Sequence, residues 1–419
     1  MQLAETNLQQ LEKEYAQILE FNKQETPNDT VLSLLDDTSD DQLRDFTFTS
    51  TDLAPALNIT EDVAQKMRRL ITKFTQDTNI EIYQDAANKR QFTHEEAEAF
   101  LSYCNHDSTR IKRIAGLPYN TPVLSITGGK GGVGKTTTAA NFAVASAMDP
   151  QRLNRTLIID RDSKQGSIGH LLSHVEDAYL FETTTPIFEK YGPLTREERL
   201  SPEVQAELRE ILFSGDNPFV LASEIPNLWF IPGSPDDYQV ARLITKFAAS
   251  ANSPEEGFEH AHSMFKDLII TPLLNDFDLI VIDSSPSMDS LNDMYLYAAN
   301  NLIMISTPRT LDLRAFGNFR NTLISFIKEF APLGFTGWNN MITVLTKCPP
   351  NQAFRTRSED FLRPLNSVLE VADDVKAYET ASEKKVPLLR LKGNKKHLEI
   401  VMKQYQSIAH RIFKSAWEK

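Results

Sequence analysis

Cysteine is scarce in this 419-residue chain, which holds only Cys104 and Cys348. Neither has a His or Cys beside it at ligand spacing, which argues against a disulfide framework or a structural zinc site and for two buried free thiols. Long apolar runs are missing as well: stretches such as Leu279-Ile280-Val281-Ile282 are far too short to span a bilayer. No basic start followed by an apolar stretch opens the chain. Met1-Gln2-Leu3-Ala4-Glu5 leads instead into a polar helix, so a cytoplasmic protein is expected. Basic residues are outnumbered, 44 against 57 acidic ones, for a net charge of −13. That balance argues against a protein that coats nucleic acid with its whole surface, although it leaves room for a local basic face. What is present is ordinary for a soluble chain, 41% hydrophobic and 24% charged, with length for about two or three domains.

The charge is unevenly spread. From Lys384 to Lys419 ten Lys and Arg stand against two Glu, a local +8, so the preceding 383 residues carry −21. Acid gathers at Asp29, Asp36, Asp37, Asp40, Asp41 and Asp45, and again between Glu176 and Asp216. Three segments follow from the patterning. Residues 1–45 combine this acidic linker with a helix whose Leu8, Leu11, Tyr15 and Ile18 fall on one stripe, a candidate dimer contact.

Residues 46–115 read as a small winged helix-turn-helix, DNA-binding domain. Ser50-Thr51 can cap a short helix Asp52–Leu57, Asn58-Ile59-Thr60 supplies a tight turn, and Glu61–Phe74 forms a longer helix with Val63, Met67, Leu70 and Ile71 inward. Gln65, Lys66, Arg68, Arg69 and Lys73 then face outward, where bases and phosphates would meet them. Ile80-Glu81-Ile82-Tyr83 and Lys89-Arg90-Gln91-Phe92 alternate as a β-wing with Lys89 and Arg90 near its tip. A plain helical hairpin fits the helices nearly as well; the wing and the basic outer side favour the DNA-binding reading.

Residues 116–419 change to an α/β pattern. Apolar strands recur at Val123–Thr127, Thr156–Ile159, Leu228–Ile231, Leu279–Ile282, Leu302–Ser306 and Met341–Leu345 with helical stretches between most of them. Near-continuous apolar strands are what a mostly parallel, twisted sheet covered by helices on both faces requires. Directly after the first strand, Gly128-Gly129-Lys130-Gly131-Gly132-Val133-Gly134-Lys135-Thr136 satisfies G-x-x-x-x-G-K-[ST], and an apolar-periodic helix follows. Glycines at Gly129, Gly131, Gly132 and Gly134 let backbone N–H groups turn inward around phosphate oxygens, with Val133 between them, and the helix N-terminus adds its dipole. Lys135 supplies a point charge to the β- and γ-phosphates, the Thr136 hydroxyl ligates Mg²⁺, and Thr137 is a further phosphate contact. Asp283, closing Asp278–Ile282, stands where the carboxylate that holds the metal's water shell is needed, and Asp160 and Asp162 end the strand after the loop's helix.

The extra lysine distinguishes this loop. Lys130-Gly131-Gly132-Val133-Gly134-Lys135-Thr136-Thr137 resembles the deviant P-loop shared by ParA partition ATPases, MinD and the nitrogenase iron protein. In that group two subunits sandwich two nucleotides, and the resemblance implies that Lys130 reaches the partner's phosphates, where a cation in trans would offset charge developing on the γ-phosphate. Asp160-Arg161-Asp162-Ser163-Lys164-Gln165-Gly166-Ser167 is similar to the ParA box D-x-D-P-Q-G-S, with Pro missing and one residue inserted. By resemblance Asp160 belongs to the metal's outer shell and Asp162 orients the attacking water. Asp283-Ser284-Ser285-Pro286 resembles the family's second acidic motif, and Thr307–Leu313 its switch segment. Thr346-Lys347 and Val386-Pro387 lie where the family contacts adenine.

The helix-turn-helix ahead of this domain resembles the large ParA subclass. The implied protein is a Mg²⁺-dependent ATPase that dimerises around ATP, binds non-specific DNA in that state, and answers a ParB-type partner, as dimers or as a filament on DNA. Operator binding with ADP and a nucleoid-associated location belong to the same expectation. MinD is the first alternative, because it ends in a basic amphipathic helix that binds membrane. Here Leu398, Val401, Tyr405, Ile408 and Ile412 form a stripe, with Lys392, Lys395, Lys396 and Lys403 among the basic residues around it. Packing on the core ranks first for this helix, DNA phosphate contact second and membrane last. A nucleotide-sensing repressor without turnover is the other alternative, against which the set Lys130, Lys135, Asp162 and Asp283 speaks. The iron protein is excluded by chemistry: only Cys348 follows the loop, and a cluster needs two thiolates per subunit.

Overall fold

The computed structural model describes residues 47–106, 119–161, 167–172, 184–214, 218–249, 253–286, 289–348, 368–373, 378, 380–381, 384, 386–391 and 395–417. The chain divides into two compact units, Met1–Asp45 with Arg390–Gly393, and Phe46–Leu389 with Asn394–Lys419. The expected N-terminal helix and acidic linker lie outside the described residues.

The second unit opens with β1 (Phe48–Thr49) and α1 (Ser50–Leu53), continued by a 3-10 turn Ala54–Leu57 in which Pro55 is tolerated because it sits at the start. Thr49, one residue earlier than the predicted Ser50-Thr51 cap, closes a capping box with Asp52. Asn58 takes the left-handed conformation at φ 56° and turns the chain toward α2 (Val63–Thr78). Met67, Ile71 and Phe74 of α2 are buried, whereas Val63 and Leu70 are only half-buried. Next come β2 (Tyr83–Gln84), β3 (Arg90–Phe92) and α3 (His94–Tyr103), the latter capped by Thr93 and Glu96. The strands pair antiparallel in the order β1-β3-β2. Phe74, Phe92 and Phe100 meet edge-on or tilted at 5.4 Å between ring centres, which gives this small region its own apolar centre.

The remaining elements alternate strand and helix: β4 (Val123–Thr127), α4 (Lys135–Ala147), β5 (Thr156–Arg161), α5 (Ser167–Leu172), α6 (Thr185–Tyr191), α7 (Arg196–Arg199), α8 (Pro202–Phe213), β6 (Leu221–Ala222), β7 (Leu228–Ile231), α9 (Tyr238–Ala249), α10 (Pro254–Phe265), β8 (Leu279–Ser284), α11 (Ser290–Ala298), β9 (Asn301–Ser306), α12 (Thr310–Phe330), β10 (Asn340–Cys348), β11 (Val368–Asp373) and α13 (Lys395–Trp417). They build an eight-stranded sheet ordered β11-β10-β9-β4-β8-β5-β7-β6, parallel except where β6 runs against β7. All six strands predicted from the apolar runs are present. β6 and β11 were not anticipated, the first because it is two residues long at the sheet edge.

Right-handed crossovers fix the layers. From β4 the chain steps across β8 to β5, and from β8 it steps the other way across β4 to β9, so α4 and α11 must cover opposite faces. Leu157, Ile159, Ile280 and Ile282 join residues of α6, α8, α9 and α11 in one buried cluster, while α12 packs Phe316, Phe319, Phe326 and Phe330 against Leu302 and Met304. On the α4 side, α13 lies along the P-loop helix, with Tyr405 edge-on to Phe142 at 6.2 Å. α6 and α8 contribute Ile187, Phe188, Tyr191, Leu208 and Leu212 to the buried cluster, with the short α7 between them in sequence. Among the described residues no helix is long and apolar enough to cross a membrane.

Candidate nucleotide site

β4 and β8 are neighbours, and the chain reverses direction across the sheet between them, so the loop after β4 opens at a switch point at the strands' carboxyl ends. Close packing sets that loop's glycines. A Cβ on Gly128 would stand 2.7 Å from the Ile305 carbonyl, and one on Gly129 would stand 2.8 Å from Phe319 Cβ and 2.9 Å from the Ala315 carbonyl of α12. Gly132 and Gly134 adopt φ of +75° and +94°, which side chains strain to reach; Gly134 is also the N-cap of α4.

A backbone that turns its N–H groups inward must find donors for the carbonyls it turns outward. Three of them are met by side chains: Lys135 Nζ donates to the Lys130 carbonyl at 3.2 Å, Lys347 Nζ to the Gly132 carbonyl at 2.8 Å, and Thr346 Oγ1 to the Val133 carbonyl. Thr346 and Lys347, read from sequence as adenine contacts, therefore hold the outer side of the phosphate loop in this structure. Lys135 is buried, Thr136 half-buried and Thr137 exposed at the start of α4. Pro387 is buried.

Two acids stand side by side next to the loop. Asp160 on β5 and Asp283 on β8 are direct register partners, and both are fully buried. Asp160 Oδ2 accepts from the Ile168 N–H of α5 at 3.0 Å. Asp162, with Gln165, lies outside the described residues.

Lys130 behaves differently from Lys135. Its side chain is 48% exposed, and its Nζ forms an ion pair with Asp312 Oδ1 in the first turn of α12. Thr307 Oγ1 donates to the other carboxylate oxygen. Burial opposes ionisation of Asp312, but the hydrogen bonds from Lys130 and Thr307 outweigh it and hold the carboxyl below its ordinary value. Sequence reasoning had named Thr307–Leu313 only as a switch segment. An acid in the first turn of the helix after a strand was the available signal, but its pairing with Lys130 depends on how α12 packs against the loop.

In the smaller region, Gln65, Lys66, Arg68, Arg69 and Lys89 are exposed. Arg90 is half-buried with Nη1 3.5 Å from the Arg68 carbonyl, bringing the wing base against α2; burial and then the Arg68 charge depress its pKa. The wing turn is built by Asp85, which accepts from the N–H groups of Ala87 and Lys89 at 2.9 and 2.8 Å. Lys395 and Lys396 stand in the first turn of α13, Lys403 is exposed, and Lys392 lies outside the described residues. Val401, Tyr405, Ile408 and Ile412 of α13 are at most 4% exposed.

The family model described as an AAA domain, AAA_31, matches residues 121–332, just over half of the chain, and the chain belongs to that family. Its curated relatives include plasmid partition protein A of Escherichia coli, 28% identical over 215 residues, 51% of this chain and 48% of that protein. A putative septum site-determining protein MinD of Emiliania huxleyi is 27% identical over 192 residues, 46% of this chain and 54% of that protein. The chain thus spans about half the length of the curated relatives it matches. Among solved structures, one titled "Partition Protein" superimposes with a TM-score of 0.59 at 16% identity, covering 96% of this chain and 98% of that one. A Cyanothece McdA–ATP complex gives 0.50 at 15% identity, covering 70% of this chain and 97% of that one. At such identities the structures show the fold alone, that of an α/β P-loop NTPase with a mostly parallel sheet.

Proposed function

We propose that this chain is a Mg²⁺- and ATP-dependent DNA-partition ATPase that dimerises around nucleotide. The carrying observation is the pair of lysines in one loop: Lys135 is folded over its own loop, whereas Lys130 stands half-exposed at the rim on Asp312, available to another subunit. The residues fit a nucleotide and its metal. Gly132 and Gly134 give the loop the positive φ angles that turn it around a phosphate, and Asp160 and Asp283 bring two buried carboxylates side by side at the strand ends. Thr136, Asp283 and Asp160 would hold Mg²⁺ and its waters, and the ion would neutralise phosphate charge. Lys135 binds phosphate in cis, the N–H groups from Gly129 to Thr137 orient it, Asp162 holds the proton-bearing water, and Lys130 adds a charge in trans. Hydrolysis then depends on dimerisation.

The order β1-α1-α2-β2-β3-α3, with the wing joined to α2 through Arg90, supports a winged helix-turn-helix that reads an operator with Gln65, Lys66, Arg68, Arg69, Lys89 and Arg90. Lys392, Lys395, Lys396 and Lys403 supply phosphate contacts for non-specific DNA, which multiply when two subunits join. A ParB-type protein would accelerate turnover, and the protein would work in the cytoplasm on the nucleoid. The buried stripe of α13 disfavours the membrane-bound, MinD-like reading, because those apolar side chains are already occupied by the core. Phosphate release with and without DNA, run beside mobility shifts in ADP and in ATP, tests the proposal. Operator preference with ADP, indiscriminate binding with ATP and DNA-responsive turnover are expected. Nucleotide binding without turnover would instead leave a sensing repressor. Asp162→Ala should keep ATP-dependent dimers while hydrolysis falls, and undiminished turnover would remove that residue from its role.

A further inference from the structure

Arg161 lies between two acids of the nucleotide site, yet strand alternation sends it to the opposite face of the sheet from Asp160. It is 4% exposed and its Nη1 donates to Asp237 Oδ2 at 2.8 Å, over the Phe265 ring at 5.3 Å. The same Asp237 carboxylate accepts from the Ser234 N–H at 3.1 Å and faces Thr184 Oγ1, the cap residue of α6, at 3.5 Å. Asp237 therefore fastens the turn after β7. Gly233, in that turn, presses on Asp160: a Cβ there would stand 3.1 Å from Asp160 Cγ and 3.2 Å from its Oδ1. A closed circuit runs from Arg161 through Asp237 and the turn at Ser234 and Gly233 back to the Asp160 carboxylate one residue away.

We infer that Arg161 is a positioning residue for the metal side of the nucleotide site: its buried ion pair with Asp237 seats Gly233 against Asp160 and so fixes where that carboxylate points. The inference rests on the nucleotide reading and deepens it. A carboxylate that must meet a metal's water shell gains from being held in one orientation, and loss of such outer support commonly costs about 10- to 100-fold in metal affinity or activity. The circuit also ties in the start of α6, since its cap residue Thr184 is one of the groups gathered at Asp237.

The test uses the full-length protein and a fluorescent ATP analogue titrated with Mg²⁺, with thermal unfolding measured alongside. Asp237→Asn alone would leave Arg161 as an uncompensated buried charge and could unfold the chain, so Arg161→Met combined with Asp237→Asn, which removes both charges, is the main variant. The expected result is an apparent Mg²⁺ affinity about 10-fold weaker or more, with metal-free analogue binding within about 2-fold of wild type. Gly233→Ala should shift the Mg²⁺ response the same way while keeping the ion pair. Arg161→Lys should keep the wild-type Mg²⁺ response, because the ion pair with Asp237 is made through Nη1 and one ammonium can replace it. An unchanged Mg²⁺ response in a variant whose melting temperature falls would make the pair purely structural and overturn the inference. A wild-type protein with no Mg²⁺-dependent binding would overturn the nucleotide reading itself, and this inference with it.

Discussion

Two helices of this protein carry their chemistry in opposite ways. α4 is sunk in the sheet region, with all of its residues but Thr136 and Thr137 buried. α2 is longer and buries only Met67, Ile71 and Phe74. A helix enclosed on its sides can offer a ligand only its end, so the chemistry of α4 is concentrated in the loop and first turn, where backbone N–H groups and the dipole point outward. A helix with one open side offers a face, so any chemistry of α2 is distributed at helical spacing over Gln65, Lys66, Arg68 and Arg69. The two meet through α3: His94 Nε2 is 2.9 Å from the Ala147 carbonyl at the last turn of α4. Burial keeps the His94 ring's pKa below its ordinary value, against the raising effect of that carbonyl, so it acts as a neutral peg at neutral pH.

Four measurements would break or sharpen this contrast. The largest effect is expected at the end of α4, where Lys135→Ala should reduce nucleotide-dependent phosphate release on the order of 100-fold or more while nucleotide-free DNA shifts stay as they are. If both activities fell together, the separation would be wrong. Phe74→Ala, which empties the contact with Phe100, should destabilise the α2 region by about 3–5 kcal/mol in denaturant unfolding, with ATP binding retained. Arg68→Ala and Arg69→Ala should each flatten the salt dependence of DNA binding by roughly one unit of log–log slope. An unchanged slope would make this side of α2 a solvated surface and nothing more.

The smallest effect lies in the sheet region. Burial, with the neighbouring carboxylates Glu329 and Asp289, pushes Asp293 up from 3.8 to about 6. The folded protein therefore holds that proton more tightly than the unfolded chain does. Stability from this group should rise as pH falls through 6 and level off near 3.8. Asp293→Asn should stabilise by about 1 kcal/mol at pH 7.5, after allowance for solvent screening, and by nothing at pH 3.5. A gain of equal size at both values would assign it to something other than charge.

The fold was legible where a pattern is local. β4, β5, β7, β8, β9 and β10 announced themselves as short apolar runs because a strand buried on both faces has no polar alternation to hide in. β6 did not, being two residues at an edge. Within α2 the spacing gave Met67 and Ile71 correctly but overstated Val63 and Leu70, since how deeply a stripe sinks depends on the partner that covers it. Docking ranked first for the stripe of α13, and the core covers Val401, Tyr405, Ile408 and Ile412 while Leu398 at its start is only half-buried. At the site, the glycines and Lys135 stood in one contiguous motif. The jobs of Thr346 and Lys347 did not, because the carbonyls they reach are more than 200 residues away in sequence.

The sequence by itself determined the phosphate loop, its helix, the parallel sheet and the acids at the strand ends, because each is dictated by neighbours a few residues apart: glycine's freedom, a helix's orphan N–H groups, an apolar period. Only the tertiary structure decided which groups act on one another. Asp312 became the seat of Lys130, Asp160 and Asp283 became side-by-side partners, and Arg161 reached Asp160 the long way round through Asp237 and Gly233. Crossover handedness and strand order bring such residues together, and a linear spacing carries no trace of that distance.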